Sequence, residues 1–225
     1  MHRREIALAL TAVLCAAAPA CTAGPPPPAP AVVPAPPAFA ARVTPVPPDR
    51  LGGSHRPGCP VPVDRLRLIR MNHWGFDGRI HRGEMVVHES AVRPVLQAFG
   101  SAFEAGFPIR RMQVMAAYGG DDAAAMADDN TSAYNCRPVT GRPGRLSQHS
   151  YGDAVDINPL ENPYVDRTGT VHPPRADGHL GRRDAARPGV VRPDSAVTEA
   201  FRAAGWEWGG RWSPPDYQHF SANGR

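Results

Sequence analysis

Basic runs interleaved with aromatic residues, internal repeats, Cys-x-x-Cys pairs and apolar stretches long enough to cross a bilayer are all missing from this sequence. The first absence argues against nucleic acid as a partner. The formal net charge is only +4 over 225 residues, a diffuse excess suited to an anionic polymer. Loss of Arg3, Arg4 and Glu5 with a leader (two positive charges, one negative) would leave +3. Four cysteines without Cys-x-x-Cys spacing argue against a cysteine-based zinc site. The N-terminal apolar run from Ile6 to Ala20 is too short for a comfortable membrane span.

That run has another use. Arg3 and Arg4 precede it and Ala18-Pro19-Ala20 closes it with small residues, the form of an export signal over 1–20. Cys21 follows directly, so two fates stay open: cleavage with release, or a lipid anchor on acylated Cys21. Ala18 stands where a lipoprotein signal usually has leucine. From Gly24 to about Pro48 the chain is Pro- and Ala-rich and almost uncharged, so 21–54 is read as a disordered, semi-rigid linker. With no repeat, the ~170 residues of 55–225 form one domain with a full core. An exported, extracellular or wall-associated monomer is expected. Cys15 belongs to the signal and Cys21 to its edge, leaving Cys59 and Cys136 as an even pair. In an oxidising compartment this pair predicts a disulfide, with two buried thiols as the alternative.

Periodicity gives a coarse structure. Leu66 to Met71 reads as a strand entering a turn at Trp74-Gly75-Phe76-Asp77-Gly78. Ser90 can cap a helix carrying Val92, Val95, Leu96, Phe99 and Phe103, stopped by Gly106. Ile109 to Ala116 reads as a strand, and Asp194 or Ser195 caps a helix through Val197 and Phe201, closed by Gly205. Asn158 to Pro193, rich in Pro, Gly and Arg, reads as long surface loops. The class is α+β.

The chemistry lies in two segments. Ser147-Gln148-His149-Ser150-Tyr151-Gly152-Asp153-Ala154-Val155-Asp156 sets an imidazole and a carboxylate seven residues apart around a glycine. Asp216-Tyr217-Gln218-His219 adds a carboxylate and an imidazole three apart. Two imidazoles and one carboxylate are what a catalytic zinc takes from a protein, leaving one position open. A second carboxylate can then serve as general base. His55, His73, His81, His88, His172 and His179 fall in no such motif and are read as ordinary histidines.

The pattern Ser-x-His-x-x-Gly-x-Ala-x-Asp, with Gly205-Trp206-Glu207-Trp208-Gly209-Gly210-Arg211-Trp212 and Asp216-Tyr217-Gln218-His219-Phe220 closing it, resembles the zinc D-alanyl-D-alanine carboxypeptidases. These share a fold with the hedgehog signalling domain and include the D,D-peptidases of vancomycin resistance. The resemblance covers roughly Gly58 to the C-terminus and implies a central, mainly antiparallel sheet with flanking helices. It also implies one zinc on His149, Asp156 and His219, with Asp216 as base, acting on peptidoglycan stem peptides. The oxyanion-stabilising arginine of a Ser-Gly-Tyr-Arg-type segment is absent from Ala117-Tyr118-Gly119-Gly120-Asp121-Asp122, and Arg137 is the substitute candidate. Ser147 and Tyr151 are candidate substrate contacts, and Trp208 and Trp212 candidate cleft walls. Arg142, Arg145 and Arg211 are candidates for a terminal carboxylate. Alternatives to the D-alanyl-D-alanine carboxypeptidase are an L-alanyl-D-glutamate endopeptidase and a non-catalytic, zinc-containing wall-binding module.

Overall fold

Residues 66–71 bury alternate side chains on opposite sides: Leu66 and Leu68 face one cluster, Ile69 and Met71 another. A period of two with both faces covered makes a central strand. In the computed structural model, which describes residues 37–140, 142–181, 183 and 187–224, this strand is the middle of a three-stranded sheet. The signal segment and Cys21 lie outside the described residues.

The sheet runs β1 (Ala41–Pro45), β2 (Leu66–Trp74), β3 (Ile80–His88), all antiparallel. The turn between β2 and β3 falls at the predicted glycines, with Gly78 N–H donating to the Gly75 carbonyl at 3.1 Å. Strand β1 corrects the expected boundary. Residues 41–45 sit in the predicted linker yet pair with Arg67 to Met71. Val46 and Leu51 are buried beyond them, and Phe39 lies 6.0 Å from Phe103. The Pro/Ala-rich average concealed Val43 and Thr44, which suit an edge strand; Pro45 at its end loses no essential ladder bond.

Helix α1 (Val92–Glu104) buries Val95, Ala98, Phe99, Ala102 and Phe103, as its period predicts, and Gly106 ends it with φ +66°. Its entry differs from the expectation. A 3₁₀ turn, Glu89–Ala91, precedes it, and the His88 ring accepts from Ser90 N–H instead of Ser90 capping the helix. Ile109 to Ala116 is not a strand: it makes one isolated bridge, Arg111 to Asn130, and ends in a 3₁₀ turn, Met115–Tyr118. Its apolar side chains Ile109, Met112, Val114 and Met115 are buried; it meets β3 where Glu84 N–H donates to the Met112 carbonyl at 2.9 Å, and a Cβ on Gly83 would meet the Met112 side chain at 2.5 Å. Helix α2 (Asp122–Ala127), capped by Asp121 accepting from Ala124 N–H, was not legible in the periodicity.

The remaining strands are short: β4 (Pro138–Val139), β5 (Arg142–Leu146), β6 (Ala154–Asp156), β7 (Tyr164–Val165) and β8 (Val171–His172). Helix α3 (Ala196–Ala203), β9 (Glu207–Trp208) and β10 (His219–Ser221) complete the fold. A second three-stranded sheet has the order β6-β10-β9, while β4-β5 and β7-β8 are hairpins. The class is α+β as expected, with several small antiparallel sheets in place of one central sheet. The loops predicted for 158–193 contain the β7-β8 hairpin.

The main core joins β2 and β3 to α1, α3 and the second sheet; Phe201 stacks on Trp206 at 4.9 Å and on Phe220 at 4.7 Å. The other face of the first sheet covers a smaller cluster containing Tyr134 and Cys136. There Cys59 and Cys136 form the predicted disulfide across 77 residues. A cross-link of this kind contributes ~2–4 kcal/mol and marks an oxidising compartment. No helix of the described residues is long and apolar enough to cross a membrane.

One buried acid pair gives a pH prediction. Glu161 is pushed up to about 8, first by burial, then by the charge and hydrogen bond of Asp129. Arg110 reaches it only at 3.6 Å. The folded protein therefore keeps a proton that the unfolded chain releases near its usual value of 4.5. Stability is lost as pH rises from that value towards 8. Glu161→Gln, which mimics the protonated form, should match wild type near pH 4.5 and exceed it by about 1–3 kcal/mol at pH 8. Parallel melting-temperature curves from pH 5 to 8 would contradict this origin.

Candidate metal centre

Strands β6 and β10 set two candidate ligands directly opposite each other: His219 pairs with Asp156, and Phe220 with Val155. Alternation sends Phe220 and Val155 into the core, both fully buried. The His219 and Asp156 side chains share the opposite face. His149 comes from the 3₁₀ turn Gln148–Tyr151, whose start is held by Ser147 Oγ accepting from His149 N–H at 3.4 Å.

Gly152 makes that turn possible. It has φ +72°, its carbonyl accepts from His88 N–H at 2.8 Å, and an added Cβ would lie 2.6 Å from that nitrogen. Left-handed backbone costs a β-carbon-bearing residue roughly 1–2 kcal/mol before any clash. Gly152→Ala should therefore lower the melting temperature and weaken metal binding together, since the turn carries His149. A wild-type melting curve for this variant would contradict the tight packing.

The three donors converge. His149 Nε2 lies 3.1 Å from Asp156 Oδ2, and His219 Nδ1 lies 3.0 Å from Asp156 Oδ1. The two ring nitrogens are 3.3 Å apart, and all three candidate ligand atoms fall within 4.8 Å of one another. His149 Nδ1 donates to the Ala133 carbonyl at 2.6 Å, which turns Nε2 into the site. Burial resists a charge on His149, but Asp156 outweighs it and raises its pKa. Burial likewise opposes ionised Asp156, yet the two imidazoles depress its pKa strongly. Two imidazoles with a buried carboxylate fit zinc by their donor chemistry.

Asp216 stands beside them. Its loop is held by Asp216 N–H donating to the Gly209 carbonyl at 2.9 Å. Gly209 has no room for a side chain, since a Cβ would meet the Asp216 carbonyl oxygen at 2.6 Å. Asp216 Oδ1 is out of contact with solvent, and no hydrogen bond reaches it. Burial pushes this carboxyl up to about 7; His219 opposes the shift and the charge of Asp156 adds to it. A carboxylate oxygen lacking a donor is costly and asks for a proton, a cation or a water.

The three donors and Asp216 line one cavity of about 310 Å³, together with Ser147, Arg137 and Trp212. The Trp212 ring lies 5.4 Å from that of His219. Tyr151 and Trp208 are not in this lining. Tyr151 is an exposed side chain on the flank of the turn. Trp208 belongs to the core, with Nε1–H donating to the Tyr217 carbonyl at 2.8 Å. Arg211 lines a separate hollow beside Trp206 and Trp208.

Arg137 is anchored twice. Its N–H donates to Ser150 Oγ at 3.1 Å, and its carbonyl accepts from Ser147 N–H at 2.9 Å. Its guanidinium pairs with Asp122 Oδ2 at 2.7 Å. Asp122 was not anticipated, although it ends the very segment in which the family's arginine was sought. Gln218, 3.4 Å from Asp156 Oδ2, was also missed; a residue between two marked ones gave no separate signal.

The fold is an α+β domain whose buried two-imidazole, one-carboxylate group, beside a further carboxylate, has the donors to hold a metal ion. Residues 140–222 match the family model for D-alanyl-D-alanine carboxypeptidase, so this segment is a domain of that family, which implies a metallopeptidase. The match contains His149, Asp156, Asp216 and His219 but ends short of Asp122 and Arg137. No curated protein and no solved structure matches the chain.

Proposed function

We propose that this protein is a zinc-dependent peptidase of peptidoglycan stem peptides, acting as a D-alanyl-D-alanine carboxypeptidase. The observation that carries the reading is the unpartnered Asp216 oxygen in the same cavity as His149, Asp156 and His219, within the matched segment. When held by those three residues, zinc supplies a Lewis acid for the scissile carbonyl and a positive field favouring ionised Asp216. Asp216 Oδ1 takes a proton from the attacking water and returns it to the departing amine nitrogen. Arg137, held by Asp122, offers a fixed positive charge to the developing oxyanion. The Ala133 carbonyl fixes the His149 ring, and Trp212 shields one wall from solvent. The disulfide suits work outside the cytoplasm, where the wall is built.

Incubating the zinc-loaded protein with muropeptides and identifying products by mass spectrometry tests this reading. Release of one D-alanine is the expected result. A cut after L-alanine would reassign it as an endopeptidase, and no turnover of any stem peptide would leave a binding module.

A further inference from the structure

Tyr164 on β7 lies directly across from Asp216 in an antiparallel bridge. Val165 N–H donates to the Pro215 carbonyl at 2.9 Å, and Tyr217 N–H to the Pro163 carbonyl at 3.1 Å. These bonds flank the Tyr164–Asp216 pair without joining its two residues. In that arrangement facing α-carbons come closest, about 4.5 Å apart, and both side chains leave on the same face. On its other edge Tyr164 pairs with His172 of β8. The two rings stack with centroids 5.5 Å apart and planes 24° from parallel. His172 Nε2 in turn lies 2.9 Å from Asp166 Oδ2. Three neighbouring segments therefore present His172, Tyr164 and Asp216 in one row.

Tyr164 lines the metal cavity together with Asp216, His149, His219 and Arg137. Its side chain is longer than the carboxylate beside it, so the phenol extends past Asp216 into that space. Among the described residues no hydrogen bond holds its hydroxyl. Burial and then the charge of Asp216 raise its pKa, which keeps the hydroxyl a donor. We propose that Tyr164 is a further catalytic residue, whose O–H donates a hydrogen bond to the oxygen of the scissile carbonyl as negative charge gathers there. A donor already held in place stabilises such charge without reorganising, and the His172 stack holds this ring. The inference rests on the peptidase reading and adds a neutral donor to the fixed charge of Arg137.

Tyr164→Phe tests this, because it keeps the ring and its stack on His172 and removes only the hydroxyl. With zinc-loaded protein and L-Ala-D-Glu-L-Lys-D-Ala-D-Ala, kcat should fall about 10–100-fold. KM, zinc content and melting temperature should stay near wild type, since the bond forms in the transition state. A second readout needs no turnover. Calorimetry with a phosphinate analogue of D-alanyl-D-alanine, whose tetrahedral anion imitates the charged oxygen, should show an affinity loss of the same size in the variant. Wild-type kcat in Tyr164→Phe, a loss in KM alone, or undiminished phosphinate affinity overturns the role. If wild type binds the phosphinate but turns over no peptide, the peptidase reading fails and Tyr164 is judged from affinity alone. A phosphinate that does not bind wild type overturns both.

Discussion

Asp216→Asn should keep its zinc and its fold while its turnover number falls by roughly two to four orders of magnitude, the usual contribution of a positioned acid–base group. The substitution preserves shape and removes the basic oxygen. The buried oxygen makes no hydrogen bond in the native state, so little native bonding is lost. KM should change far less than kcat, because the proton transfer acts in the transition state. Metal affinity measured on the same preparation distinguishes a second role. If Asp216 only orients His219, zinc binding should weaken some 10–100-fold instead. Near-normal turnover would remove Asp216 from the chemistry altogether.

His149→Ala and His219→Ala should each lose nearly all bound metal and all measurable hydrolysis. Both residues are buried with Asp156 and belong to the only such donor group found among the described residues. Stability gives an independent reading. A ligand that binds only the folded state stabilises it by about 2.7 kcal/mol at a hundredfold excess over Kd. Added zinc should therefore raise the melting temperature of wild type and leave both variants unmoved. Each variant also removes one of the two imidazoles paired with buried Asp156, so both should melt below metal-free wild type. A normal zinc-induced shift in either one would take that histidine out of the site.

The candidate site was legible in the sequence because its residues are chemically distinctive and closely spaced. His149, Gly152 and Asp156 fall within eight residues, and the Gly152 turn explains the spacing. Cys59 and Cys136 were paired by elimination, and α1 and α3 followed from helical periodicity. The partnerships made over long separations were hidden. Asp156 and His219 are cross-strand neighbours 63 residues apart, on strands too short to display alternation. Arg137 was found from one segment, but its Asp122 partner belongs to a short helix, Asp122–Ala127, that showed no periodicity of its own. The roles suggested for Trp208 and Tyr151 came from motif membership. Alternation sends Trp208 into the core with Phe220, and the 3₁₀ turn swings Tyr151 outward. The β1 strand was masked by the proline and alanine around it. Composition averages over a window; a strand needs only a few suitable residues and an open edge.

The most direct test of the central claim is to titrate metal-free protein with zinc and follow bound metal and D-alanine release together. Both should rise in proportion and saturate at one zinc per chain. Hydrolysis by the metal-free protein, or saturation with zinc without any release, would contradict it.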